Sequence, residues 1–279
     1  MITTIIGLGL MGGSAAIDLK KRGFTKRIIG VDNNVLHAET ALHAGIVDEI
    51  QTLQDAVAKS ELIILAIPVD AAVKMLPLIL DKVDKQIVTD MCSTKEQLCL
   101  SVKDHPKRKN YLAAHPMAGT EYSGPWAAKP GLFDGKAVIF CDTENSGIRA
   151  NSTVRLLFDT LNMRPVLMDA AQHDKHAAYV SHISHISSFA LALTVLDQEK
   201  NENNIFDLAS GGFDSTVRLA KSSSEMWSPI FEQNAENVVA VIETYIKYLE
   251  NFKTAIQEHD TDKITSLILS SNKIKRVLS

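Results

Sequence analysis

Short apolar runs recur through the first 168 residues, separated by longer stretches of helical spacing. Met1–Ile6, Ile28–Val31, Leu62–Ile67, Ile87–Thr89, Tyr111–Ala114, Ala137–Cys141 and Pro165–Met168 each read as a strand. Leu62–Ile67 is apolar throughout, as a parallel strand buried on both faces requires. Ala15–Lys21, Asp70–Leu80 and Ser152–Leu161 read as helices, with Pro77 predicting a kink or early stop and 142–151 a polar loop. After Met168 the strand pattern ceases. His173–Leu196 has apolar residues at helical spacing with no Gly or Pro, and Asp197–Asn204 is a charged break. Gly211-Gly212 predicts a hinge or tight turn. Ser228-Pro229 predicts a helix start, a hydroxyl N-cap followed by Pro at the first helical position. Behind it, Phe231, Ala235, Val238, Ile242, Tyr245, Leu249, Phe252 and Ile256 step by alternating fours and threes, a heptad seam. A helix of that length spans about 39 Å, which predicts a helical core shared with a second copy of the chain. A last helix is expected over about Asp262–Val277.

The first strand runs directly into Gly7-Leu8-Gly9-Leu10-Met11-Gly12, then a helix, then a strand ending in Asp32. This is the order of a dinucleotide site. The first Gly makes the tight turn, the second admits a pyrophosphate, and the third packs helix against strand. Backbone N–H groups from Gly9, Leu10 and Met11 at the helix start face the phosphates. Asp32 stands where a carboxylate accepts hydrogen bonds from the adenosine ribose. A carboxylate there repels a 2′-phosphate, and Asn33 and Asn34 add no positive charge, so NAD is expected over NADP. The expected fold is α/β. A Rossmann-type, doubly wound, mostly parallel sheet over 1–168 is followed by an all-helical substrate-binding and dimerisation domain over 169–279.

Four places gather reactive side chains: Ser93 with Lys95, His115 with Glu121, His182 with His185, and Arg218. Ser93 and His115 leave the carboxyl edge of the sheet, where open α/β sheets bind ligands. Each has a plain alternative. Ser93 with Glu96 forms a possible capping box. Glu121 reads equally as a surface charge, Arg218 as an ion pair, Trp227 as core, and the histidines as buried structural residues. No companion Cys or HExxH pattern supports a metal.

A formal net charge of −4 removes any general electrostatic case for nucleic acid or an anionic membrane. The three cysteines, Cys92, Cys99 and Cys141, have no CxxC spacing and suit a reduced, cytoplasmic protein. The glycine-broken start, Met1–Met11, lacks a basic region and reads as neither a signal peptide nor a membrane span. No fused regulatory domain is expected within 279 residues.

Nearly the whole chain resembles the prephenate dehydrogenase family and its arogenate-using relatives. The resemblance rests on Gly7–Ser14, Asp90-x-x-Ser93-x-Lys95, His115-Pro-Met-Ala-Gly-Thr-Glu121, His173-Asp174, Ser181-His182-x-x-His185, and the glycine turn running to Arg218 and Trp227. It implies hydride transfer from C4 of a cyclohexadienol to NAD⁺ with loss of CO₂, in tyrosine biosynthesis. It also implies that His115 accepts the hydroxyl proton and Ser93 orients that hydroxyl. Arg218 then holds a substrate carboxylate, His185 and Trp227 line the substrate, and Glu121 gates the mouth. Many relatives carry an acid where this chain has Ser215, with Asp214 beside it. Prephenate is the expected substrate and arogenate the alternative. A β-hydroxyacid-type dehydrogenase would need a catalytic Lys that Lys221 supplies poorly. A non-catalytic NAD-sensing regulator would need neither His115 nor Arg218.

Overall fold

A computed structural model describes residues 1–200 and 205–276. Contacts divide the chain into two compact units, Met1–Asn234 and Ala235–Ser279. The first is built on one eight-stranded sheet: β1 (Ile2–Ile6), β2 (Arg27–Val31), β3 (Glu49–Ile50), β4 (Leu62–Leu65), β5 (Ile87–Asp90), β6 (Tyr111–Pro116), β7 (Ala137–Cys141) and β8 (Arg164–Met168). Their order is β3-β2-β1-β4-β5-β6-β7-β8. Every neighbouring pair is parallel except β6 with β7. The connecting helices are α1 (Leu10–Lys21), α2 (Val35–His43), α3 (Leu53–Lys59), α4 (Val69–Lys82), α5 (Glu96–Leu100) and α6 (Ile148–Thr160). This is the Rossmann-type doubly wound sheet. Strand order reverses between β1 and β4, which opens a crevice beyond their carboxyl ends.

Among the described residues only helices and helical turns follow: α7 (Ala170–Ala177), α8 (Ile183–Glu199), α9 (Gly211–Val217) and α10 (Ser224–Gln233) in the first unit, then α11 (Ala235–Gln257) and α12 (Thr261–Ser271) in the second. One widened, π-helical turn, Ala178–His182, joins α7 to α8. By length and composition the run Ala170–Glu199 could cross a membrane. Its His173, Asp174 and His182 are nevertheless buried and hydrogen-bonded within the first unit.

Several local expectations are corrected. The sequence reading passed over α2, β3 and α3. The exposed Val35 and Leu36 blur the stripe of α2, and β3 is only two residues long. Pro77 does not stop α4, whose Leu76, Ile79 and Leu80 are buried around it. The α6 helix starts at Ile148 instead of Ser152, because Asn151 ties the preceding turn through the carbonyls of Thr143, Ser146 and Gly147. The expected break at Asp197 begins later, since α8 continues to Glu199; residues 201–204 lie outside the described residues, as does Val277.

Gly211 and Gly212 open α9 with ordinary backbone angles instead of forming a tight turn. Ser228-Pro229 lies inside α10, which begins at Ser224. The heptad seam is therefore not one helix. Asn234 ends α10, its side-chain amide donating to the Asp174 carbonyl at 2.7 Å and lying 3.2 Å from His182 Nδ1. The remaining α11 has 23 residues, about 35 Å. Val239, Ile246, Leu249 and Ile256 on α11 and Ile268 and Leu269 on α12 are exposed in the single chain. Among the described residues the last element of the second unit is the helical turn Asn272–Arg276.

Candidate active site

The dinucleotide end is made from backbone. Gly7 has φ 93°, and a Cβ there would stand 2.4 Å from the Ala66 carbonyl oxygen. A Cβ on Gly12 would stand 2.0 Å from the Gly7 oxygen. Only glycine fits either place. Gly9 differs, because a Cβ there would meet nothing nearer than Gly124 N at 4.0 Å. The space in front of Gly9 is open, as a phosphate requires. No side chain caps α1 at Gly9, so the N–H groups of Leu10 and Met11 at the helix start are left for an anion. Asp32 accepts from Leu8 N and Asn34 N, both at 2.8 Å, and so holds the glycine loop at the end of β2. These features fit a bound dinucleotide.

The carboxyl end of β5 and β6 is tied by a buried knot of side chains. Asp90 accepts from Tyr111 Oη at 2.6 Å, from the N–H groups of Ala114 and Cys92, and from Lys95 Nζ. Lys95 Nζ also donates to the Ala114 carbonyl at 2.9 Å. Burial, the largest single influence, lowers the Lys95 ammonium, but the Asp90 charge, the Asp90 hydrogen bond and the neighbouring Cys92 and Cys141 together outweigh it and the net direction is upward. Tyr111 is pushed well up, first by burial and then by Asp90. The knot fixes the Asp90–Lys95 turn, which carries Ser93, beside the residue preceding His115. Ser93 Oγ makes no hydrogen bond to any described residue. The expected capping box does not form: Lys95 N and Glu96 N donate to the Asp174 carboxylate at 2.7 and 2.9 Å. A tertiary partner has replaced the local one.

His115 sits within β6, not past its end. The antiparallel pairing with β7 extends the strand through Pro116 and puts His115 opposite Ile139. His115 is buried, with 8% of the residue exposed. Its Nδ1 lies 2.8 Å from His173 Nε2, and His173 Nδ1 lies 2.7 Å from Asp174 Oδ1. Burial, followed by the neighbouring His173, Lys95 and His182, holds His115 well below the usual histidine range. It is therefore neutral near pH 7 and able to take a proton.

The helices supply the remaining groups. His185 donates from Nδ1 to the Ser181 carbonyl at 3.0 Å and stacks on Trp227, with centroids 3.5 Å apart. Burial lowers its pKa, against the Ser181 bond, and Arg218 lowers it further. His182 meets Trp227 edge-on and is pushed down to about 4, mainly by burial. Trp227 is buried in the core with Ile230, and its Nε1 has no hydrogen-bond partner among the described residues. Arg218 Nη1 donates to Glu121 at 2.9 Å. Glu121 is held below the usual carboxylate range by its own backbone N–H and then by Arg218. The plain alternative for Arg218, an ion pair, is thus realised, and it joins two of the residues singled out by the sequence. Asp214 is paired with Lys221 at 3.1 Å, and Ser215 bonds back to the Gly212 carbonyl.

The structure thus links His115 to the His173–Asp174 pair, Glu121 to Arg218, and His185 to Trp227. The sequence reading gave no role to His173, Asp174 or Tyr111. The adjacent His-Asp pair was a visible signal, but its burial and its contact with His115 were not.

A family model described as prephenate dehydrogenase, nucleotide-binding domain, matches residues 15–167, and one described as prephenate dehydrogenase, dimerization domain, matches 169–269. Prephenate dehydrogenase of Lactococcus lactis subsp. cremoris is 30% identical over 98% of this chain and 76% of its own length. That of Bacillus subtilis is 30% identical over 93% of this chain and 71% of its own length. A crystal structure of prephenate dehydrogenase from A. aeolicus in complex with hydroxyphenyl propionate and NAD⁺ is 31% identical, with a TM-score of 0.87, covering 99% of this chain and 97% of that one.

Proposed function

Because this chain belongs to the prephenate dehydrogenase family, we propose that it catalyses the NAD-dependent oxidative decarboxylation of prephenate to 4-hydroxyphenylpyruvate, a step of tyrosine biosynthesis. The observation that carries the reading is a neutral, buried His115 at the carboxyl edge of the sheet, on the edge that also bears the glycine loop. Gly7, Gly9, Leu10, Met11, Gly12 and Asp32 would hold NAD, which supplies the hydride acceptor when bound. His115 takes the proton of the C4 hydroxyl, a role for which a placed imidazole typically gives about 10²–10⁴-fold. Ser93, without a hydrogen-bond partner among the described residues, orients the same hydroxyl.

Arg218 holds a substrate carboxylate. Its planar fork offers more donors than the one bond to Glu121 uses. Glu121 then acts as a gate, released from the guanidinium as the substrate carboxylate arrives. The His185–Trp227 stack lines the substrate side. Prephenate is favoured over arogenate because Ser215 supplies no acid for an ammonium and Asp214 is engaged by Lys221. The nucleotide-binding part is 1–168, and the substrate and dimerisation part is 169–279. The exposed apolar residues of α8, α11 and α12 would be covered by a second copy in a homodimer. Three buried free thiols suit a cytoplasmic protein. NADH production with prephenate and with arogenate, measured side by side, tests the reading; no NADH from either removes it. A monomer in sedimentation at micromolar concentration removes the homodimer.

A further inference from the structure

His173 and Asp174 remain without a function in this reading, although both are almost wholly buried. Their hydrogen bonds have a fixed direction. Asp174 accepts the backbone N–H groups of Lys95 and Glu96, which can only donate. A carboxylate so placed is acceptor-only when ionised, so His173 Nδ1 carries the proton shared with Asp174 at 2.7 Å. With its ring proton on Nδ1, His173 presents a lone pair on Nε2. His115 Nδ1, 2.8 Å away, must carry the proton of that second bond. The remaining nitrogen of His115, Nε2, is left bare.

We propose that Asp174 and His173 are positioning residues that fix His115 in the tautomer with Nδ1 protonated and Nε2 free to accept the substrate proton. The inference rests on His115 being the base. When the hydroxyl O–H bond breaks and an Nε2–H bond forms, His115 becomes an imidazolium whose Nδ1–H already points at His173. The Asp174 charge stands one ring further on. Lys95, His182 and His173 also face His115, and Asp90 faces Lys95. The Ala178 N–H, at the start of the π-helical turn, and the Asn234 amide both donate to the Asp174 carbonyl and anchor the relay from behind.

The test is ¹⁵N spectroscopy of the full-length protein with labelled histidine and NAD⁺ bound, alongside turnover of His173→Leu and His173→Gln. In the wild type, His115 should carry its proton on Nδ1. His173→Leu removes the acceptor, so His115 should shift toward the other tautomer and turnover should fall by about 10²–10⁴-fold, as expected when a base loses its orienting partner. NAD⁺ affinity should not change. His173→Gln, whose amide oxygen can accept from Nδ1, should recover part of the turnover. A wild-type His115 protonated on Nε2 overturns the proposal, even if His173→Leu fails to fold. So does a His173→Leu protein that loses turnover with the tautomer unchanged, since its role would be structural only. Wild-type turnover in His115→Asn would instead remove the base itself, whatever the spectra report.

Discussion

The two ends of the candidate site are built from different material. At the dinucleotide end most groups come from six consecutive residues, Gly7 to Gly12, with Asp32 behind them, and the chemistry belongs chiefly to backbone N–H groups and to the space left by missing side chains. At the catalytic end Asp90, Lys95, Tyr111, His115, His173 and Asp174 converge from three segments, the Asp90–Lys95 turn, β6 and α7. The first end needs only a strand, a tight turn and a helix. The second needs the register of β5 and β6, the antiparallel partner β7 and the packing of α7 before any of its hydrogen bonds exist. A site of the first kind tolerates changes elsewhere in the chain. One of the second kind is sensitive to any group in its network.

Substitution at each end should separate the two, and the largest effect is expected at the catalytic end. His115→Asn should cut turnover by about 10²–10⁴-fold while cofactor titration stays near wild type. Retained turnover would mean the two ends do not divide the chemistry this way.

Acid should attack the same end next. His182 has a folded pKa of about 4 against an ordinary 6.5, and His115 and His185 are displaced in the same direction. Between about pH 6.5 and 4 the unfolded chain binds protons that the folded chain refuses. Stability therefore rises with pH through this window and falls on acidification, by about 3 kcal/mol from His182 alone. Urea unfolding at both ends of the window measures it, and a flat profile would mean these histidines are protonated in the fold.

At the backbone end, Gly12→Ala should cost about 1–3 kcal/mol and abolish cofactor binding, because its Cβ would collide with the Gly7 oxygen. Gly9→Ala should keep its melting temperature and lose only cofactor affinity. Equal melting temperatures for the two variants would contradict the cradle.

Arg218→Ala should raise the KM by about 10–100-fold, the worth of a charge-assisted contact. Its half-exposed pair with Glu121 adds little to stability, so thermal unfolding should hardly move. The smallest effect is expected for Asp32→Ala. It should narrow the preference for NAD over NADP, read from the two cofactors' KM values, and loosen the loop that Asp32 holds through Leu8 N.

Much of the fold was legible in the chain. The buried strands β4, β6 and β7 stand out because burial on both faces favours apolar runs. The shift to helices after Met168 was visible as a change of period. Surface-lying α2 and the two-residue β3 were not, since little of either is buried and no periodicity marks them. The heptad seam misled in one respect. The spacing continued through Asn234, while a tertiary hydrogen bond to Asp174 made that residue a break.

The sequence by itself determined the glycine loop with its acid, the order of strands and helices, and the identities of His115, Arg218, Glu121 and His185 as candidates. These are matters of composition at short range, where spacing and sterics decide. Only the tertiary structure decided that Asp174, and not Ser93, caps α5, that Glu121 meets Arg218, and that His115 stands in a chain of bonds ending at a carboxylate. The directions of those bonds follow from which groups can only donate and which can only accept, and that is settled once residues separated by up to 97 positions have been packed together.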